Sequence, residues 1–281
     1  MEGAMRLALL PPARLAGVVR YFHVEFSSPG AVLVPATPCP MITFFVRGGS
    51  RFSGVDGVMR VHSEPFVTGP MTAPFPAVWE AGTTFVSAVL EAGQFGRLFD
   101  VPLAELRNAV LPLADVAPDW PLAALQDTLL ARAGSQHWAA AMGDWLVQRL
   151  ARREGGTPPF ALPPSMLALP SAEIAARCGI SLRSLERRFL ASYGQNIRDS
   201  RRMMRYIAAL SRLIAAPLRH GALTRLAADC GYHDQAHMVR DFVQYTGLAP
   251  RALLAGAQDA AGELRLLRYD GRSRAIVTAE P

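Results

Sequence analysis

The stretch Ala175-Ala176-Arg177-Cys178-Gly179 decides the fold of the C-terminal half, because it returns as Ala227-Ala228-Asp229-Cys230-Gly231, 52 residues further on. Each copy follows a short segment of helical pattern and leads into another, predicted at 182–189 and 235–242. The alanine lets a second helix pack closely, and the glycine takes the left-handed conformation that ends the first helix. The repeat therefore predicts two helix-turn-helix units, whose second helices suit the major groove of DNA.

Charge is distributed unevenly along the 281 residues, which carry a net +6 and no lysine. Residues 171–255 hold 13 arginines and six carboxylates, whereas residues 1–170 hold 12 arginines and 13 carboxylates. The excess positive charge therefore falls on the predicted helix-turn-helix segment. This asymmetry is typical of a phosphate-binding domain joined to a domain that does not bind DNA.

Several function classes are disfavoured by composition. Without a run of about 18 apolar residues, the sequence predicts no membrane span and no membrane partner, and residues 1–10 lack the pattern of a secretory signal. Cys39, Cys178 and Cys230 are an odd, widely spaced set, which favours small buried thiols in a reducing cytosol over a disulfide framework or a metal cluster. We therefore expect a cytoplasmic protein without a cofactor.

Proline and glycine mark a predicted linker at 155–164, between an N-terminal domain at 1–154 and a helical domain at 165–256. A tail at 257–281 follows. Short runs rich in Val, Phe and Thr predict a sandwich or barrel. The predicted strands are Val18–Phe26, Met41–Val46, Met59–His62, Val78–Glu80 and Phe85–Leu90.

Two helices are predicted at the end of the N-terminal domain, within about 119–153. They are Pro121–Ala133 with Asp119 as its cap, and Gln136–Arg153 with Ser135 as its cap. The second places Trp138, Met142, Trp145 and Leu146 on one face, which favours a core position over a dimer contact. The predicted fold class is α+β, with an all-α tandem helix-turn-helix domain at the C-terminal end.

A long helix at Ile197–Ala215 is predicted to space the two helix-turn-helix units and to end before Pro217. Its apolar stripe is Ile197, Met204, Ile207, Ala208 and Ile214, and a second stripe carries Arg198, Arg202, Arg205 and Arg212. For these arginines, phosphate contact and a solvated face with local salt bridges both stay open.

The second helix of each unit has an inward and an outward face. Leu182, Leu185 and Phe189 are predicted to face the core of the first unit, and Met238, Phe242 and Tyr245 that of the second. The outward arginines suit guanine edges, Gln235 suits adenine, and Asp234 is predicted to cap its helix. The candidate DNA-binding residues are Arg183, Ser184, Glu186, Arg187, Gln235, Ala236, His237, Arg240 and Arg202.

Residues 170–254 resemble the AraC/XylS-type bacterial transcription regulators. The most specific segment runs through Gly231-Tyr232-His233-Asp234-Gln235-Ala236-His237, Arg240-Asp241-Phe242 and Thr246-Gly247-Leu248-Ala249-Pro250. Ser200 and Met238 stand where the family commonly has Tyr and Phe. The resemblance implies a sequence-specific regulator whose partners are double-stranded DNA, a small-molecule effector, a second copy in a homodimer, and RNA polymerase. It also implies a cupin-like N-terminal domain, with a weaker similarity at 17–115.

Two alternatives concern the N-terminal domain. A metal-dependent cupin enzyme would need clustered ligands, but His23, His62 and His137 are far apart in sequence, with Glu64 alone close to His62. We therefore predict no metal site and no enzyme. The second alternative, a dimerisation domain without a ligand, is not separated from sensing by the residues. Phe22, Phe26, Phe44, Phe45, Trp79 and Phe85 suit a core better than a pocket.

Overall fold

The computed structural model describes residues 5–53, 58–153, 159–215, 222–258 and 269–279. Two predicted features, the glycine-rich start of the linker at 155–158 and the helix-ending Pro217, lie outside the described residues. The strands are β1 Met5–Leu9, β2 Val19–Phe26, β3 Gly30–Val34, β4 Met41–Arg47, β5 Ser50–Ser53, β6 Met59–His62, β7 Phe66–Thr68, β8 Phe75–Trp79, β9 Thr84–Leu90 and β10 Val110–Pro112. The helices are α1 Leu113–Val116, α2 Leu122–Ala131, α3 Ser135–Arg152, α4 Pro164–Leu167, α5 Ser171–Arg177, α6 Leu182–Tyr193, α7 Ile197–Ala215, α8 Ala222–Asp229, α9 Gln235–Thr246, α10 Pro250–Gln258 and α11 Gly271–Thr278.

The ten strands form two antiparallel sheets, so the α+β fold class is confirmed, and of the two predicted arrangements the sandwich is observed. The six-stranded sheet has the order β1-β2-β9-β4-β7-β10, and the four-stranded sheet has the order β3-β8-β5-β6. The central strands β9 and β4 and their neighbour β2 carry branched and aromatic side chains that pack well on a pleated surface. The aromatic residues Phe45, Phe52, Phe66, Trp79 and Phe85 pack together in one buried cluster.

Helices α2 and α3 cover the six-stranded sheet. The predicted stripe on α3 is confirmed as core, because Trp138, Met142, Trp145 and Leu146 are all buried. The predicted caps are wrong. Helix α2 begins after Pro121, whose ring fixes the backbone without a side-chain cap, and α3 begins after Gly134 at φ 133°, so Ser135 lies inside the helix.

The C-terminal domain has two small cores joined by α7. Ile174, Leu185 and Phe189 belong to the first core, and Tyr206 and Phe242 belong to the second. Helix α7 has the predicted bounds, Ile197–Ala215, and contributes to both cores. It therefore joins the two helix-turn-helix units as one continuous element.

The apolar stripe of α7 was placed incorrectly from the sequence. Met203, Tyr206, Ala209, Leu210 and Leu213 are the buried residues that face the second core. The predicted stripe, apart from Ile197, is only half-buried. Its residues pack at the margins of the two cores and also line the space between α7 and the sandwich. The helix is apolar on two faces because it packs on two partners.

The two domains and residues 269–279 pack on one another. The amide of Ala36 in the sandwich donates to the carbonyl of Tyr245 in α9 over 2.8 Å. Helix α11 packs against β1 and α7, and Ser273 Oγ accepts a hydrogen bond from the Ala8 amide over 2.9 Å. Of the helices in the described ranges, none has both the length and the apolar character needed to cross a bilayer.

Candidate DNA-reading helices and the cavity behind them

The first helix-turn-helix is formed by α5 and α6, and the turn between them has the predicted conformation. Gly179 has φ +65°. Its amide donates to Ala176, and the Ile180 amide donates to Ala175, at 3.1 and 3.0 Å. These two bonds define a Schellman motif, which satisfies the last carbonyls of α5 and turns the chain toward α6.

The second unit, α8 and α9, repeats this turn bond for bond. Gly231 has φ +71°; its amide donates to Ala228, and the Tyr232 amide donates to Ala227, at 3.0 and 2.9 Å. The alanine at the packing position is buried in both units, Ala175 at 5% exposure and Ala227 at 1%. The repeated sequence therefore builds a repeated structure.

The starts of α6 and α9 are also built alike. Ser181 Oγ accepts from the Ser184 amide over 3.2 Å at the start of α6. Asp234 Oδ1 accepts from the His237 amide over 2.6 Å at the start of α9. The predicted cap role of Asp234 is confirmed, and this bond is the main cause that lowers the pKa of its carboxyl. Each cap satisfies one free amide of the first turn and fixes where the helix begins.

Helix α6 presents a polar face to solvent. Arg183, Glu186 and Arg187 are exposed, and Ser184 is half-buried. Leu185 and Phe189 are fully buried as predicted, but Leu182 is 45% exposed. The prediction for Leu182 is wrong because, as the first residue of the helix, it lies beyond the edge of the core.

Helix α9 presents a smaller polar face. Ala236 and Arg240 are exposed, whereas Gln235 and His237 are half-buried. Gln235 Oε1 accepts from Thr224 Oγ1 in α8 over 2.9 Å, so the glutamine is positioned by the preceding helix. The predicted inward residues Met238, Phe242 and Tyr245 are confirmed as buried.

Arg202 is paired within the protein, whereas a phosphate contact would need a side chain that is available to DNA. Its Nε and Nη2 atoms lie 2.7 and 2.6 Å from Oδ1 of Asp241. Asp241 is completely buried, while the Arg202 side chain is one third exposed. The hydrogen bond to Asp241 raises the pKa of Arg202. The pair joins α7 to α9, and it places Asp241 on the buried side of α9, whereas the preceding Arg240 is exposed.

A cavity of about 960 Å³, hereafter the interdomain cavity, lies between the N-terminal and C-terminal domains. Four parts of the chain line it: the N-terminal domain, the segment 161–167, the region from the end of α6 through α7, and residues 269–279. Trp79 and Phe85 from the proposed aromatic set lie on its wall, whereas Phe22 and Phe44 are core residues. The sequence favours a core position for this aromatic set over a pocket, and the second apolar face of α7 is a further signal for the cavity.

Buried ionisable groups at the wall of the interdomain cavity have partners within the protein. Burial alone would raise the pKa of Glu25, but hydrogen bonds from His23 and Arg6, together with their charge, lower it well below its usual range. Arg6 Nη2 lies 2.7 Å from Glu25 Oε1, and Ser27 Oγ donates to the same oxygen over 2.7 Å. Burial raises the pKa of Cys39 to about 11, so this thiol is neutral at pH 7. Within the described residues no three His, Cys, Asp or Glu side chains are grouped to hold a metal ion.

Comparison with known proteins gives two domain matches. Residues 174–256 match a helix-turn-helix domain family, and residues 8–112 match a domain family of unknown function, DUF6597. No curated protein matches the chain.

The chain is also distantly similar to solved structures. ToxT from Vibrio cholerae, in a P21 crystal form, is 11% identical with a TM-score of 0.48, over 83% of this chain and 98% of that one. ToxT bound to an unsaturated fatty acid is 10% identical with a TM-score of 0.47, over 89% and 94%. The AraC-like transcriptional activator CuxR is 16% identical with a TM-score of 0.29, over 68% and 76%.

The tandem turns, the repeated caps and the match at 174–256 define a helix-turn-helix DNA-binding protein. With the specific motifs between Gly231 and Pro250, this match identifies residues 174–256 as an AraC-type helix-turn-helix domain.

Proposed function

We propose that each chain reads two successive major grooves on one face of DNA, with α6 in one groove and α9 in the next. The observation that carries this proposal is the identical construction of the two units, each with an outward polar face at the start of its second helix. In helix-turn-helix proteins the N-terminal residues of this helix contact base edges. Two such helices in one chain match grooves about 34 Å apart.

The opposite ends of both helices are held by the N-terminal domain. A methyl group added at Gly194, after α6, would lie 2.5 Å from Pro70, and one added at Gly247, after α9, would lie 2.8 Å from Leu33. The sandwich therefore contacts both second helices at the ends away from the proposed reading face. This arrangement supports control of the spacing of the two helices by the N-terminal domain.

The proposed contacts follow from side-chain chemistry. Arg183 and Arg187 donate to guanine, Glu186 accepts from cytosine N4, the Gln235 amide reads adenine, and the Ala236 methyl contacts thymine. Ser184, His237 and Arg240 contact phosphate or flanking bases. Arg202 is left out of this set because Asp241 already holds it.

The test compares Arg187→Ala with Arg14→Ala, which removes the same charge from an exposed position in the N-terminal domain. DNA sites are first selected from a random pool by the full-length protein. On the selected site, Arg187→Ala is expected to cost about 1–3 kcal/mol and to relax preference at one or two base pairs. Arg14→Ala should leave both unchanged. Equal loss for Arg187→Ala on selected and random DNA would contradict the base contact.

Effector control is proposed on the strength of the interdomain cavity. Its volume lies within the range of about 300–1,000 Å³ that small-molecule sites occupy. Its wall includes α7, the helix that joins the two units. A molecule bound there contacts the DNA-binding domain directly, which offers a route from occupancy to DNA affinity. The affinity of the protein for the selected DNA site should then differ between samples with an empty cavity and samples whose cavity holds a compound.

A homodimer through the N-terminal domain is also proposed. Strand β6 lies at the edge of the four-stranded sheet, and Met59 and Val61 are 42% and 65% exposed on it. Exposed apolar side chains on an edge strand favour pairing with a second chain. Sedimentation of the full-length protein should give a dimer, and Val61→Asp should shift it toward monomer. If Val61→Asp leaves the dimer unchanged, the dimer contact lies elsewhere on the protein.

Contact with RNA polymerase is a separate prediction, which follows only from the resemblance to AraC/XylS-type regulators.

A further inference from the structure

The wall of the interdomain cavity includes a group of aromatic residues on the sandwich side. Phe52, Phe66, Phe75, Trp79 and Phe85 line it there. The side formed by α7 carries the aliphatic residues Met204, Ile207 and Ile214, together with polar residues such as Ser200. Flat aromatic walls and flexible aliphatic side chains favour a ligand with a large apolar body.

The cationic groups on the same wall already have partners. Arg20 donates from Nη2 to the carbonyl of Ala279 over 2.5 Å and lies 3.8 Å from Glu91. Arg212 donates to the carbonyl of Asp229 over 3.1 Å. A ligand carboxylate would have to compete with these contacts for a cation, and burying an unpaired charge is strongly unfavourable.

The remaining charged or ionisable groups on the wall are equally engaged. His23 lies 3.2 Å from Glu25 through Nε2 and 3.1 Å from the Tyr269 hydroxyl through Nδ1. Burial raises the pKa of the Tyr21 and Tyr269 hydroxyls, so both are neutral near pH 7. Each formal charge at the wall therefore has a protein partner among the described residues.

Four other wall residues have hydrogen-bonding capacity that the described residues do not use. The atoms are Thr68 Oγ1, Trp79 Nε1, Gln195 Oε1 and Ser200 Oγ, each buried without a hydrogen-bond partner in the described chain. Their residues are 2%, 8%, 1% and 3% exposed. They include a donor, an acceptor and two hydroxyls that take either role. Buried polar atoms usually have partners, so this group indicates a site for uncharged polar groups of a ligand.

We propose that the interdomain cavity binds an uncharged, mainly aromatic or polycyclic molecule that carries hydroxyl or carbonyl groups. This inference deepens the proposed effector control and rests on it. The sandwich supplies the aromatic contacts, and the four unpartnered atoms hydrogen-bond the ligand's oxygen atoms. Ser200 and Met204 belong to α7, so the ligand contacts the helix that joins the two DNA-reading units.

The first experiment uses three probes of matched shape: 1-methylpyrene, 1-pyrenemethanol and 1-pyrenecarboxylate. Binding to the full-length protein is followed by energy transfer from tryptophan to pyrene. We expect 1-pyrenemethanol to bind at least about tenfold more tightly than 1-pyrenecarboxylate, because the carboxylate must be buried without a free cation. Equal or tighter binding of the carboxylate would overturn the inference, and so would the absence of binding by all three probes.

The second experiment locates the binding. Ala208→Phe fills the α7 side of the cavity and should abolish probe binding, while Thr68→Val and Ser200→Ala remove single hydroxyls with little change of shape. At least one of these two should weaken 1-pyrenemethanol about fivefold, a typical hydrogen-bond loss, without changing 1-methylpyrene. Thr128→Val, on exposed α2, is the matched control. A third variant, Trp79→Phe, removes the indole donor from the wall. If all three variants bind 1-pyrenemethanol as tightly as the wild type does, the proposed polar contacts are refuted.

DNA binding to the selected site is measured in parallel on the same samples. If the probes fail while Arg187→Ala still loses base preference, only the ligand inference fails. If probe binding follows the expected pattern but leaves DNA affinity unchanged, the ligand class stands and effector control does not.

Discussion

Replacing Arg202 with alanine separates a structural role from a DNA contact. In the structure, two guanidinium nitrogens lie 2.6 and 2.7 Å from one oxygen of Asp241, which is completely buried. Removing one partner of a fully buried pair costs about 3–5 kcal/mol, because the remaining charge is left without compensation. Since the Arg202 side chain is one third exposed and water can reach the gap, we expect about 2–3 kcal/mol.

The assay is urea unfolding followed by circular dichroism, with hydrogen exchange of α9 as a local readout. Arg202→Ala should lower the free energy of unfolding and increase exchange in α9. Pairing it with Asp241→Asn in a double-mutant cycle should recover part of the loss, because the buried charge is then removed. Arg187→Ala, which removes an exposed arginine from α6, should stay within about 0.5 kcal/mol of the wild type.

DNA titrations at several salt concentrations complete the test. A phosphate contact would reduce the slope of log affinity against log salt by about one. The ion pair predicts an unchanged slope for the folded fraction of Arg202→Ala. Unchanged stability together with a reduced slope would refute our reasoning and return Arg202 to the phosphate-contacting set.

Three further predictions test the turn, the C-terminal contact and the buried carboxylate. Gly179→Ala should lower the free energy of unfolding by about 1–2 kcal/mol through left-handed backbone strain alone, because nothing lies within 4 Å of the added methyl group. Gly194→Ala should lower it further, because its methyl group would lie 2.5 Å from Pro70. Thermal unfolding of both variants measures the difference. Ser273→Val should lower the free energy of unfolding by about 1–3 kcal/mol, because the backbone amide of β1 loses its acceptor; an unchanged melting temperature would show that α11 is not docked. The lowered pKa of Glu25 contributes stability that is fully present above the unfolded pKa of about 4.3 and is lost as the pH falls toward the folded pKa. The difference in free energy of unfolding between the wild type and Glu25→Gln should therefore shrink between about pH 5 and pH 3.

The DNA-binding domain was predictable because its information is local. The alanine–glycine repeat, the cap at Asp234 and the inward face of α9 follow from helix geometry within a dozen residues. The exposed position of Leu182 was not predictable this way, because a helical wheel assigns a direction but does not show where the core ends. The contact residues of the DNA interface remain predictions, although the outward positions of Arg183 and Arg187 agree with them.

The N-terminal domain was predicted less completely because its strands pair over long distances. Strands such as β2 and β9 carry recognisable runs of branched and aromatic residues, whereas β5 and β7 are too short for a pattern. The cavity depends on which face of α7 meets the sandwich, and that follows from domain packing alone. The partner of Arg202 was missed for the same reason, since Asp241 lies 39 residues away.

The contact between α11 and β1 has a consequence for how the protein is made. Ala8 and Ser273 are 265 residues apart, so α11 reaches β1 only after the whole DNA-binding domain has been synthesised. At roughly 5–20 residues per second, residues 113–278 require roughly ten to thirty seconds on the ribosome. During that time the sandwich can fold, but one wall of its cavity has not yet been translated. The nascent N-terminal domain is therefore open on one side until the C-terminal domain has emerged.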